Sequence, residues 1–261
     1  MPPTPETVEV AFISPRHLAG GGDPAWITRP LHLACGWRYD DDDPLLPRVI
    51  LSSPGQKAVL RLEPGVDGQW WTLHHAPDLD RPAWYASFGA STPVGLIAGF
   101  MDALTDPASA ESAPSDPYES LRQHTWSPTH GTAPGLTAPD GNLFVQRLGT
   151  ESNPGAWFVT ATLGPSRPVW QAHFDKHTPA HLITAFTTAL ADPQPVWRTN
   201  RPLGLATLDP NIISRRIIDV PTVHVAAALT GRVESLSARH DTPSADPIPP
   251  SQPPPRNARR R

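Results

Sequence analysis

An internal repeat constrains this chain more than any other feature: residues 81 to 107 match residues 167 to 193 at a constant offset of 86, with 14 of 27 positions identical. A duplicated unit must bury the same side chains twice, so one reading of local structure has to serve both copies. The paired residues include Arg81-Pro82 with Arg167-Pro168, Trp84 with Trp170, Phe88 with Phe174, Thr92-Pro93 with Thr178-Pro179, Phe100 with Phe186, and Asp106-Pro107 with Asp192-Pro193. Upstream, a one-residue slip sets Gly68-Gln69-Trp70-Trp71 opposite Gly155-Ala156-Trp157-Phe158, and Trp37 falls opposite Trp126.

Runs bounded by turn formers predict four strands in each copy. In the first these are 48–52, 58–63, 69–74 and 83–88; in the second, 135–138, 143–148, 157–163 and 169–174, with Asp140-Gly141 as a hairpin turn. Their short connections favour an antiparallel meander. Leu96, Ile97, Phe100 and Leu104 then recur at helical spacing, as do Leu182, Ile183, Phe186 and Leu190. Each set predicts a helix laid on its own sheet. Thr92 and Thr178 are the expected N-caps, Pro93 and Pro179 the first helical residues, and Asp-Pro the stop.

The expected fold is α+β: two tandem ββββα modules, plus C-terminal helices and a disordered tail. The predicted division is a first module with an N-terminal extension at 8–107, a linker at 108–117, a second module at 118–195, a helical segment at 196–240 and a Pro/Arg tail at 241–261. The modules are expected to meet about a pseudo-twofold, because a four-stranded sheet leaves edges that a near-identical partner can cover. Residues 8–36 have no visible counterpart, and Val8 to Ile13 alternates well enough to add an edge strand to the first sheet. Asp209-Pro210 suggests a short helix to about Ile217, and Val225, Leu229, Val233 and Leu236 mark a longer one from 221 or 222 to 239.

The run His17-Leu18-Ala19-Gly20-Gly21-Gly22-Asp23-Pro24, the step Ala34-Cys35-Gly36-Trp37, the strand Gln69-Trp70-Trp71-Thr72-Leu73 and the sequence Ser115-Asp116-Pro117-Tyr118 resemble an actinobacterial family of domains of unknown function named after its SPDY-like motif. The resemblance covers roughly residues 9 to 240, although the motif here reads Ser-Asp-Pro-Tyr, a transposition. It implies a tandem-repeat protein of actinobacteria, from a family associated with mobile or plasmid-like regions. It implies no activity and no functional residues.

Composition bears mainly on what to exclude. One cysteine, Cys35, rules out an intramolecular disulfide, and no stretch approaches the roughly 20 apolar residues that cross a bilayer as a helix. The N-terminus lacks a signal-peptide pattern. A cytoplasmic protein with no membrane association is expected. Arginine outnumbers lysine 19 to 2, which fits a GC-rich coding bias.

No residue set reads as catalytic, cofactor-binding or metal-binding. Gly20-Gly21-Gly22 lacks the lysine and spacing of a phosphate loop and reads as a turn. His32, Cys35, His74 and His75 do not have structural-zinc spacing. Asp40 to Asp43 lacks the alternating ligands of a calcium loop. The repeated tryptophans read as core, although adjacent Trp70 and Trp71 must point to opposite faces of a strand. Charge is uneven: residues 1–195 carry 11 Arg and Lys against 20 Asp and Glu, a balance of 11 − 20 = −9, and residues 196–261 carry 10 against 5, a balance of +5. Arg215, Arg216, Arg232, Arg239, Arg259, Arg260 and Arg261 are therefore candidate nucleic-acid contacts.

The leading reading is a non-enzymatic module that binds a protein partner. The alternatives are a nucleic-acid accessory protein using the basic end, and an enzyme with a site between the modules. Positions that differ between the copies, such as Tyr85 against Gln171, Ser87 against His173 and Gly89 against Asp175, escape the shared packing demand. Function is expected there.

Overall fold

The structure, a computed structural model, describes residues 6–40, 48–65, 67–106, 108–109, 116–129, 134–150, 153–164, 167–199 and 204–241. Residues Asp41 to Asp43, most of the expected linker and the tail from 242 onward lie outside the described residues.

The two copies form one antiparallel sheet of ten strands. The first contributes β2 (Arg38–Tyr39), β3 (Val49–Ser52), β4 (Ala58–Leu62), β5 (Gln69–His75) and β6 (Trp84–Gly89). The second contributes β7 (Ser127–Pro128), β8 (Gly135–Thr137), β9 (Leu143–Gly149), β10 (Pro154–Thr162) and β11 (Pro168–Phe174). The order is β2-β3-β4-β5-β6-β11-β10-β9-β8-β7, so the copies join edge to edge through β6 and β11. The expected four strands of each copy are present, with a two-residue strand added outside them.

The join has a symmetric register. Ser87 pairs with His173, its own equivalent at an offset of 86, while Phe88 pairs with Ala172 and Ala86 with Phe174. The pseudo-twofold axis therefore passes between Ser87 and His173. Pairing also revises the sequence alignment: Trp71 opposes Phe88 and Trp157 opposes Phe174, which makes Trp71 the equivalent of Trp157 at the same offset of 86. The slip belongs to the hairpin before these strands, since Leu60 opposes Leu73 and Val145 opposes Val159, an offset of 85.

One face of the sheet carries α2 (Val94–Thr105) and α4 (Ala180–Ala191), which pack on each other. Gly99 allows the approach, because a Cβ there would meet the Ala189 methyl at 3.1 Å. Beneath them Phe88, Phe174, Phe100 and Phe186 are wholly buried about the axis, with ring centroids 5.2 to 5.7 Å apart. The cluster obeys the twofold: Phe88 stacks on Phe186 and Phe100 on Phe174, each at 25°. Edge-to-face and offset pairs of this kind add to the stabilisation from area alone.

Pro93 and Pro179 do not start the helices. With ψ of 123° and 133° they are the extended N-cap residues themselves, so each threonine falls one position too early to cap. The Val94 N–H instead donates to the Gly21 carbonyl at 2.7 Å, and Thr178 donates its hydroxyl to the Tyr85 carbonyl at 3.3 Å.

Each copy is preceded by a helix, α1 (Ala25–Leu33) or α3 (Glu119–Gln123), packed on the copy's own long helix. Both begin alike. Asp23 accepts the Ala25 N–H and Asp116 the Tyr118 N–H, each carboxylate reaching the amide two residues on, with proline between. Residues 23–36 thus have a counterpart in the second copy that the sequence comparison missed, because α3 is shorter than α1.

The chain ends build a separate three-stranded sheet, in the order β12 (Val196–Thr199), β1 (Thr7–Ser14), β13 (Ser214–Pro221). The expected edge strand on the first module is therefore corrected: residues 7–14 pair with C-terminal strands. The expected helix at 209–217 is a single turn, with Ile212 and Ile213 N–H groups on the Asp209 carbonyl, before the chain extends. Burial of Ile213 and pairing along all of β1 favour strand for a run containing Ile217, Ile218 and Val220. The last helix, α5 (Thr222–Asp241), is where the sequence predicts it.

Candidate functional site

Most residues pointing away from the helices are exposed or half-buried, Ser87 being an exception at 8% exposure, and Tyr85, His74, His173 and Phe158 belong to neither buried hydrophobic cluster. Among the described residues this second face is open. Alternation along β5 illustrates the division: Trp71 is 2% exposed in the core and Trp70 is 42% exposed on the other side.

Across the middle of the open face runs an aromatic band. His74 on β5 stacks on Tyr85 of β6 at 6.1 Å; Tyr85 meets the His173 ring of β11 edge-on at 5.1 Å; His173 stacks on Phe158 of β10 at 4.6 Å. Applying the offset of 86 to these four positions gives Thr160, Gln171, Ser87 and Thr72. The twofold thus relates an aromatic diagonal to a diagonal of short polar side chains, on which Gln171 donates to the Thr160 hydroxyl at 3.1 Å. On the inner face the same operation relates like to like: Phe88 to Phe174, Ala86 to Ala172, Trp71 to Trp157.

None of the four band residues is Asp, Glu, Lys or Arg. Burial holds the His173 imidazole below its ordinary range against the opposing pull of Asp175, which favours its neutral form. Tyr85, at 39% exposure, and His74 are the exposed members of the band, while His173 and Phe158 are half-buried. Aromatic area with neutral hydrogen-bonding groups suits an apolar protein surface better than a phosphate backbone.

The four sequence-predicted contacts among the described residues, Arg215, Arg216, Arg232 and Arg239, lie on two elements, β13 and α5. Arg215 and Arg216 lie on β13, not on a helix, with Arg216 over the Phe12 ring at 5.3 Å. Arg232 makes a two-pronged pair with Asp102 at 2.7 and 3.0 Å, and Arg239 stands 3.8 Å from the same carboxylate. These two guanidinium groups tie α5 to α2. Arg259, Arg260 and Arg261 lie outside the described residues.

His32 holds the Trp37 carbonyl through Nδ1 at 2.8 Å and its ring faces Tyr39, while buried Cys35 has its thiol pushed up by burial. His74 and His75 face Tyr85 and Trp84. Among the described residues no three His, Cys, Asp or Glu side chains gather as a metal site. Between the copies, where an enzymatic site would need a deep polar pocket, the four phenylalanine rings fill the space. No described helix is long and apolar enough to cross a membrane.

The Asp-Pro-Tyr part of the signature is a structural bracket. Asp116 accepts the Tyr118 N–H and pairs with Arg122; the Pro117 carbonyl accepts the buried Thr187 hydroxyl of α4 at 2.7 Å. The Tyr118 ring lies 4.9 Å from Trp157, and burial pushes its phenol up to about 12. Arg147 stands over the other partner of that contact, Trp157, at 5.4 Å.

No curated protein and no solved structure matches the chain. Two stretches, 52–110 and 137–196, match the sequence model described as SPDY, a domain of unknown function (DUF317), and they cover β4 to β6 with α2 in the first copy and β9 to β11 with α4 in the second. Two tandem stretches of the chain are thus similar to the SPDY domain.

Proposed function

We propose that this protein is a non-enzymatic interaction module whose partner is a protein, seated through an apolar, weakly charged surface on the open face of the ten-stranded sheet. The observation that carries this reading is the asymmetry across the twofold. Four positions of a duplicated sheet are aromatic on one diagonal and polar on the other, while their inward neighbours stay alike. Packing treats both copies equally and so does not account for that difference; recognition of one asymmetric partner does. Aromatic residues flanked by neutral polar groups are the usual composition of a protein-binding centre.

The test uses the full chain as crosslinking bait in extract of the native host, beside a Tyr85→Ser/Phe158→Ser double variant with an unchanged circular dichroism spectrum. The expected result is a protein retained by the parent chain and lost by the variant. Equal retention by both would reject the sheet face. Retention of nucleic acid alone, weakening steeply with salt, would favour the basic C-terminal region instead.

A further inference from the structure

A second feature lies away from the sheet face and among the unrepeated parts. A cavity of about 800 Å3 opens between α1, the first turn of α2, β12 and α5. Its size falls in the range of small-molecule sites.

The cavity lining holds three arginines, Arg16, Arg29 and Arg198, and one carboxylate, Asp23. Arg198 of β12 lies against the backbone of the triglycine run: a Cβ on Gly22, whose φ is +93°, would sit 2.9 Å from the Arg198 Nε. Only glycine leaves that space. The guanidinium donates to the carbonyls of Trp197 at 3.1 Å and Gly20 at 3.4 Å, but its buried Nε has no partner and no described carboxylate lies within ion-pair distance. Burial, then the nearby Arg16, lowers its affinity for a proton to a pKa of about 10. Arg29 also faces the cavity, exposed and without a described ion pair. Arg16 is already paired with Asp192, and Asp23, the carboxylate in the lining, accepts the Ala25 N–H.

Most of the remaining lining is apolar, apart from Thr199 and Thr230. Val225, Leu229 and Val233 of α5 form a stripe at helical spacing that lines the cavity and stays half-buried, whereas Leu236, one turn on, is buried. Trp26 and Trp197 meet edge to face at 5.7 Å on another wall. A helix stripe without full protein packing beside an arginine without a carboxylate is a built pairing of apolar and anion-binding surface.

We infer that this cavity binds a small organic anion, with one carboxylate or phosphate group on Arg198 and Arg29 and an apolar body of ring size against α5 and the tryptophans. Guanidinium forks fit either headgroup. This site is independent of the sheet face.

Titration of the full chain with 1-naphthyl phosphate, 1-naphthoate, 1-naphthol and inorganic phosphate, followed by calorimetry, tests it. Saturable binding is expected for the first or second probe, at least about 10-fold tighter than for naphthol or inorganic phosphate; the tighter of the two anions identifies the headgroup. Arg29→Glu, at an exposed position that does not serve the core, should weaken binding about 10-fold, and Leu229→Ser should weaken it as well, whereas Arg198→Met should abolish it. Failure of both naphthyl anions to saturate a folded chain would overturn the proposal, as would equal binding of naphthol or indifference to Arg29→Glu.

Discussion

The duplicated body and the unduplicated cap of this molecule solve packing differently. In the body, a twofold relates β6 to β11 and α2 to α4, and the four central phenylalanines interlock as two equivalent stacked pairs. The cap, built from β1, β12, β13 and α5, has no such partner. It attaches through polar links such as Arg232 with Asp102 and through a small apolar cluster in which Ala11, Ile13 and Ile213 pack with Leu163 and Val169 of the body, and it encloses a cavity. Duplication compels a filled interface, because each copy must satisfy the other with the same side chains; sequence outside the repeat is released from that demand.

The largest effect should come from the shared core. Phe88→Ala removes a ring that touches three other phenylalanines and should cost about 3 to 5 kcal/mol, lowering the urea midpoint of the whole body in one cooperative transition. Two transitions, with one copy surviving, would break the view of a single joint core.

Arg232→Ala leaves Asp102 without its two-pronged partner and should cost about 1.5 to 3 kcal/mol, felt locally. Hydrogen exchange should show α5 losing protection while β6 and β11 keep theirs. Uniform loss of protection would mean that cap and body are one cooperative unit.

Asp140 joins the two regions, since its Oδ2 lies 3.0 Å from His17 Nε2 and the Trp170 indole donates to the His17 carbonyl at 2.7 Å. Burial raises the Asp140 pKa, but His17 and backbone N–H groups outweigh it and hold the carboxylate below its usual range. A depressed folded pKa contributes stability above the unfolded value, about 3.9, and that contribution disappears as pH falls through the folded value. Asp140→Asn should therefore be less stable than the parent at pH 7, with the gap closing below about pH 4. A pH-independent gap in urea midpoints would contradict this.

The smallest change in stability is expected on the open face. Tyr85→Ser should shift the midpoint by about 0.5 kcal/mol or less while removing the partner contact. A large destabilisation would assign Tyr85 to the core and remove the proposed distinction between the two sheet faces.

Much of the body is legible in the residues. The main strands of each copy, both long helices and α5 follow from turn formers, alternation and helical spacing. The positions Tyr85, Ser87 and Gly89 stand out because their repeat partners differ. Half of the aromatic band does not, because the one-residue slip paired Trp71 with Phe158 and hid the contrast of Phe158 with Thr72 and of His74 with Thr160. Strand register supplies that correction, and no local signal in the sequence contains it.

By itself the sequence determined that one α+β unit occurs twice, that its helices bury Leu96, Phe100 and their equivalents, and that adjacent Trp70 and Trp71 face opposite ways. These follow from periodicity, which is a property of neighbouring residues. Only the tertiary structure decided that the copies share one sheet, that residues 7–14 pair with the C-terminal strands, and that Arg198 meets Gly22 in the cap. Such contacts join residues far apart in the chain, and their choice among alternative pairings depends on burial and hydrogen bonding across the whole fold.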